Sequence, residues 1–125
     1  MDAILQESAT LKAVELFNAA FNRHDVNAIM DLMTPDCVFG DTYPPPDGSL
    51  YTGEEAVRAY WERFFIESPQ AIFNFFDLFA SGERAVVRWT YHWLEKDGKA
   101  GHIQGVDVLR VRDGRIAEKF SYVKG

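Results

Sequence analysis

Apolar residues follow a helical period in the first half of the chain and a strand period in the second. Between about Ser8 and Asn22, Leu11, Val14, Phe17 and Phe21 recur on one side of a helix, which the polar NRHD run then ends. Asp25 is placed to cap a second, short helix with Ile29, Leu32 and Met33 inward. Thr34-Pro35 stops it, because proline disfavours helical geometry in the residue before it. CVFGD reads as a short strand ending at Asp41. A third helix has a capping-box start, Thr52 with Glu55 three residues on. Its apolar face is Val57, Tyr60, Trp61, Phe64 and Phe65, and it stops at Ser68-Pro69. The intervening loop 41–53, DTYPPPDGSLYTG, is long and stiffened by three prolines. It carries Tyr43 and Tyr51, so it can line or cover a cavity mouth, or be a plain surface crossover.

After Pro69 the pattern is an antiparallel meander of strands 71–80, 84–95, 100–112 and 115–123, broken at Ser81-Gly82, Asp97-Gly98 and Asp113-Gly114. In the second of these strands Ala85, Val87, Trp89, Tyr91 and Trp93 share a face, opposite Arg84, Arg88, Thr90 and His92. In the last, strict alternation puts Ile116, Glu118, Phe120 and Tyr122 inside and Lys119 and Ser121 outside. The first is apolar on both sides, with Phe73, Phe75 and Phe79 against Ile72, Phe76 and Leu78, so its outer side is expected to meet another surface, such as a second subunit. Three helices followed by such a meander predict an α+β fold with the helices on one face of a sheet. A twisted sheet curling around helices leaves a concave mouth.

A length of 125 residues is the usual size of one domain, so residues 1–125 are read as one, with its core at about 8–123. The net charge of −6 argues against nucleic acid or an anionic membrane surface as partner, since both reward basic patches. Cys37 is the only cysteine; beside Val38 and Phe39 it reads as an ordinary buried thiol. Residues 1–10 carry no signal-peptide pattern, and no run of about 18 apolar residues occurs. A cytoplasmic location is the expectation.

Asp107 carries the chemical interest. It lies in VDVLRV on the same face as Leu109 and Val111, while Arg110 and Arg112 point the other way. An acid on an apolar strand face needs a polar partner or a function. Desolvation disfavours the charged form of such a carboxyl, which suits it to proton exchange or to donating a hydrogen bond near neutral pH. The structural alternative is a core Asp satisfied by a backbone N–H or a tyrosine. Glu118 is the second acid that alternation turns inward, and Trp61, Phe64, Trp89, Tyr91 and Phe120 are the aromatic residues expected to line the interior.

The order FNRHDVNAIMDLMTPDCVFGD, a TGEEAV helix start and VDVLRVRDGRIAEKFSY resembles the nuclear transport factor 2-like superfamily, and within it the SnoaL-like polyketide cyclase and ketosteroid isomerase-like branch. The resemblance spans about residues 8–123. It implies a cone-shaped roll of three N-terminal helices on a curved, mostly antiparallel sheet, the cystatin-like architecture. It also implies an apolar pocket, a homodimer joined through the outer sheet face, and no metal or organic cofactor. Asp41 matches the general-base position of ketosteroid isomerases, and Asp107 their protonated oxyanion-hole acid. Their first-helix tyrosine corresponds to Phe17, which has no hydroxyl to donate. SnoaL-like cyclases use the Asp107 position as acid/base with a histidine on a nearby strand. Of the candidates, alternation puts His92 outside, and His102 reaches the Asp107 side only through a bulge near Gly101 or Gly105.

The sequence holds no Gly-rich phosphate loop, metal-spaced cluster or Gly-x-Ser-x-Gly elbow. A glycosidase needs an open sugar cleft, and an epoxide hydrolase an Asp-Arg-Asp array that the outward Arg88 and Arg110 do not supply. Two functions are expected. One is isomerase- or cyclase-like proton transfer on an apolar carbonyl compound by Asp41 and Asp107, with the second acid or Tyr91 steadying the enolate oxygen. The other is a pocket that holds an apolar ligand without turnover, with Asp107 as a polar anchor. Phe17, Tyr43, Trp61, Phe64, Trp89, Tyr91, His102, Glu118 and Phe120 are the candidate ligand contacts.

Overall fold

A computed structural model describes residues 2–125. Helix α1 (Ala3–Asn22) starts earlier than its apolar stripe does, because the Asp2 side chain accepts a hydrogen bond from the Ile4 N–H at 2.8 Å and caps the added turn. Helix α2 (Val26–Asp31) is capped by Asp25 through the Ala28 N–H. The chain then enters strand β1 (Met33–Gly40) at once, so Met33 and Thr34 are strand residues and Pro35 lies inside the strand. Pro35 falls between Met33 and Val38, where the pairing register shifts, so its missing N–H interrupts no regular ladder.

Strand β2 (Leu50–Thr52) occupies the end of the expected loop and pairs with β1. Thr52 therefore spends itself on strand pairing, and the anticipated capping box does not form. Helix α3 (Glu54–Glu67) is capped by Gly53 at φ 91°, a conformation glycine adopts without steric cost, and Glu54 and Glu55 in the first turn complement the helix dipole. Strands β3 (Phe73–Ser81), β4 (Arg84–Leu94), β5 (Ala100–Arg112) and β6 (Arg115–Val123) form the expected meander. The sheet order is β2-β1-β6-β5-β4-β3, antiparallel throughout except where β1 lies parallel to β6. The α+β reading holds: the helices cover one face, and Val14, Phe17, Ile29, Val57, Trp61, Val87, Leu109 and Ile116 form the core between them and the sheet. No helix among the described residues is long and apolar enough to cross a membrane.

Two bulges overturn the simple alternation. In β3, Asp77 and Leu78 oppose the single residue Val87 between the Phe76↔Arg88 and Phe79↔Val86 pairs, with Asp77 at φ 58°. Leu78 thereby packs on the core, and Phe79 turns outward, 55% exposed. In β6, Ala117 is the extra residue between Val111↔Ile116 and Arg110↔Glu118. Past it every side chain changes face. Glu118 and Phe120, expected inside, lie outside, while Lys119 and Ser121, expected outside, point in. Glu118 pairs with Arg110 at 2.8 Å, and the Phe120 ring covers Gly40.

Candidate functional site

The concave side of the sheet and the facing helices enclose a cavity of about 240 Å³, open at the loop after β1. At ~30 Å³ of liquid volume per water it has room for about eight waters, or a ligand of one or two rings. Its walls are mainly aromatic. Phe73 stacks on Tyr91 at 4.7 Å between ring centroids, and Trp89 meets Phe73 edge-on at 5.0 Å. Phe39 lies 4.6 Å from Trp61 and 4.8 Å from Tyr60.

Set into this lining is a polar chain built by register. Val87, Asp107 and Ser121 stand side by side across β4, β5 and β6, and Lys119 is the next inward residue of β6. Asp107 is 2% exposed, and its Oδ1 accepts from Trp89 Nε1 at 2.9 Å and from Ser121 Oγ at 2.7 Å. Its Oδ2 faces Lys119 Nζ at 3.4 Å, and Lys119 also donates to Ser121 Oγ at 3.0 Å. Trp89 reaches the carboxyl because its cross-strand partner is Gly105, over whose bare Cα the indole lies. Lys119, 7% exposed, carries its charge under aromatic faces: Nζ is 4.8 Å from the Phe39 ring centroid, 5.5 Å from Trp61 and 6.0 Å from Phe21. Asp107 is thus an acceptor with a counter-ion, and the polar partners that the sequence called for are Trp89, Ser121 and Lys119 in place of a backbone N–H or a tyrosine.

The second acid lies at the mouth. Asp41 follows β1, and its Oδ1 accepts from the Thr42 N–H at 2.7 Å. Burial first, and then the nearby Asp41 carboxylate, push the Tyr60 hydroxyl far above its ordinary range, so it stays protonated. Asp41, Asp107 and Lys119 are the charged residues of the lining. Elsewhere, burial pushes the Cys37 thiol up, away from thiolate chemistry. Among the described residues no group of three or more His, Cys, Asp or Glu side chains is placed to hold a metal ion.

Of the residues singled out from sequence, Asp41, Asp107, Phe17, Tyr43, Trp61, Phe64, Trp89 and Tyr91 line the cavity. Glu118 and Phe120 do not, because of the Ala117 bulge. His102 does not either: β4 and β5 pair in unbroken register, so it stays on the outer face, its ring 5.7 Å from that of its partner His92. Sequence reasoning missed Lys119, Ser121, Tyr60, Phe39 and Phe73. The signal for Lys119 was present, since an inward Asp107 calls for a cation and the adjacent strand offers one.

A model of the SnoaL-like domain family matches residues 14–119, and the chain belongs to that family. Among solved structures, an NTF2-like protein of unknown function from Mesorhizobium loti is 36% identical, with 96% of this chain and 94% of that one covered and a TM-score of 0.79. A candidate polyketide cyclase from Xanthomonas campestris pv. campestris is 19% identical over 95% of this chain and 93% of its own, with a TM-score of 0.76. Another, from Pseudomonas putida, is 20% identical over 92% and 91%, with a TM-score of 0.71. At that identity the two share the fold. No curated protein matches the chain.

Proposed function

We propose that this protein moves a proton on an apolar carbonyl compound, in the manner of an isomerase or cyclase, with Asp41 as the base. The observation that carries the reading is that two acids, Asp41 and Asp107, line one aromatic cavity. Their surroundings divide the work. Asp107 accepts two hydrogen bonds, from Trp89 and Ser121, pairs with the Lys119 charge, and serves as an anchor for all three. Asp41 accepts only the Thr42 N–H, on Oδ1, and its second oxygen is the one left to take a proton. The satisfied state of Asp107 also favours the second reading, an apolar binding protein without turnover, in which both acids only orient the ligand. The fold neighbours described as candidate polyketide cyclases support the first.

The test uses 2-tetralone, an apolar bicyclic ketone with acidic C–H bonds beside its carbonyl. Proton NMR in D2O follows its exchange. Catalysed exchange that Asp41→Asn lowers by about 100-fold or more is expected, the usual contribution of a placed base. Binding of 2-tetralone with no exchange above buffer would leave the binding-protein reading in its place.

The outer sheet face supports a homodimer. Phe79, Val86, Val108 and Phe120 form one apolar row across four strands, with Tyr122 beside it at 56% exposed.

A further inference from the structure

We infer that Lys119 is the electrophile of the cavity, and that the ligand it selects is an uncharged carbonyl compound whose oxygen becomes negative only after Asp41 has taken its proton. The inference rests on the proton-transfer reading of the site and adds the group that receives the charge.

The first observation is donor accounting. An ammonium has three N–H donors. One goes to Ser121 Oγ and one faces Asp107 Oδ2, and no third acceptor stands within hydrogen-bond distance among the described residues. Trp61, 2% exposed and also in the lining, has an Nε1–H with no partner. The Trp61 N–H is shut off from the cavity space, whereas the ammonium of Lys119 lies in the wall; buried donors are nearly always satisfied, so that spare N–H suits a ligand that brings an oxygen. Asp107 and Ser121 hold the ammonium from one side and the Phe39 and Trp61 rings from another, so its place is fixed before a ligand enters, as an oxyanion site requires.

The second observation is the charge of the lining. Counted with both acids ionised, Asp41 and Asp107 against Lys119 leave one net negative charge. A ligand that arrives as a carboxylate adds a second negative charge to a poorly solvated space. A neutral ketone or aldehyde adds none. When the C–H bond beside its carbonyl breaks, the proton goes to Asp41 and the electron pair moves through the new C=C bond onto oxygen. The net charge of the cavity stays at minus one, but it has moved from Asp41 to the ligand oxygen, where the ammonium meets it. Return of the proton to a different carbon gives an isomer. Attack of the enolate carbon on a second carbonyl of the same molecule gives a ring, and the proton held by Asp41 passes to the new alkoxide oxygen, which restores the base. Neither outcome needs an oxidant or a reductant.

The probe is 4-nitrophenol, whose phenol and phenolate differ in absorbance, at a pH where the free probe is mostly protonated. Asp41→Asn removes the competing charge and mimics the protonated base. That variant is expected to bind the phenolate at least about tenfold more tightly than wild type, since a hydrogen bond to a charged group is worth about 1.5–3 kcal/mol. Adding Lys119→Met should return the bound probe to its protonated form and erase the gain. Should the Lys119→Met chain fold poorly, Asp107→Asn with Lys119→Met removes both charges and keeps an acceptor for Trp89 and Ser121. Phenolate binding that survives either Lys119 change overturns the inference, as does failure of every variant to bind the probe. If 2-tetralone exchange still depends on Asp41 while Lys119→Met changes neither exchange nor phenolate binding, the proton-transfer reading stands and the Lys119 assignment falls. If wild type exchanges nothing, both fall.

Discussion

Replacing Asp107 by Asn and Lys119 by Met, singly and together, measures how much of the fold hangs on the buried pair. The charges lie 3.4 Å apart, and at an effective dielectric of about 20 their attraction is about 5 kcal/mol. Lys119→Met leaves the Asp107 carboxylate buried without its counter-ion and should cost about 3–5 kcal/mol. Asp107→Asn keeps an oxygen for Trp89 Nε1 and Ser121 Oγ, so its cost, about 2–4 kcal/mol, comes mainly from the stranded ammonium. The double variant strands neither charge. Its destabilisation should fall below the sum of the singles by about 2–4 kcal/mol, somewhat less than the bare attraction because each single variant admits water and relaxes. Urea unfolding monitored by tryptophan fluorescence supplies the four free energies, and calorimetry should show Lys119→Met melting about 10–20 °C below wild type, at about 3–5 °C per kcal/mol for a chain of this size. Additivity within about 0.5 kcal/mol would mean that the two groups do not interact and that the inward placement of Lys119 is wrong.

Three further outcomes are expected. Gly105→Ala should destabilise by about 1–3 kcal/mol in urea titrations, since its Cβ would meet the Tyr122 carbonyl and the Trp89 ring; a neutral change would contradict the packing of Trp89 over this strand. Phe79→Glu should shift the sedimentation coefficient from dimer to monomer without loss of helical circular dichroism, and a wild-type monomer would remove the dimer proposal. Arg112 beside Asp36 lowers that carboxyl from 3.8 to about 2, so its stabilising contribution is complete above the unfolded value near 4 and disappears as pH falls toward 2. Carboxyl carbon NMR should place the Asp36 midpoint near 2, and a midpoint near 3.8 would show that the pair does not form in solution.

Much of the fold was legible because it follows from period and turn chemistry. The stripe Val14, Phe17, Phe21 and the face Val57, Trp61, Phe65 are the helical sides that reach the core, and Asp97-Gly98 and Asp113-Gly114 turn the hairpins. What escaped was whatever depended on one inserted residue. Ala117 and Asp77 each break a period of two, and nothing in the local composition of IAEKF or FFDLF marks the bulge. The correct facing of Lys119 required a tertiary constraint, the charge on Asp107 two strand positions away from its own cross-strand partner Leu109. The parallel pairing of β1 with β6 was equally out of reach, because it joins residues about eighty positions apart without a turn between them. The aromatic lining was half visible: Trp61, Trp89 and Tyr91 came from clean periodicities, whereas Phe39 and Tyr60 looked like ordinary core.

In the proposed reaction one cavity holds an apolar carbonyl compound with its acidic carbon toward Asp41 and its oxygen toward Lys119. A crystal structure of the protein saturated with 2-tetralone tests it most directly. The bicycle is expected among Phe39, Trp61, Phe73 and Trp89, with its oxygen within hydrogen-bond distance of Lys119 Nζ and a methylene beside the carbonyl next to the Asp41 carboxylate. Ligand found only on the outer sheet face, or bound in the cavity with its oxygen turned away from Lys119, would contradict it.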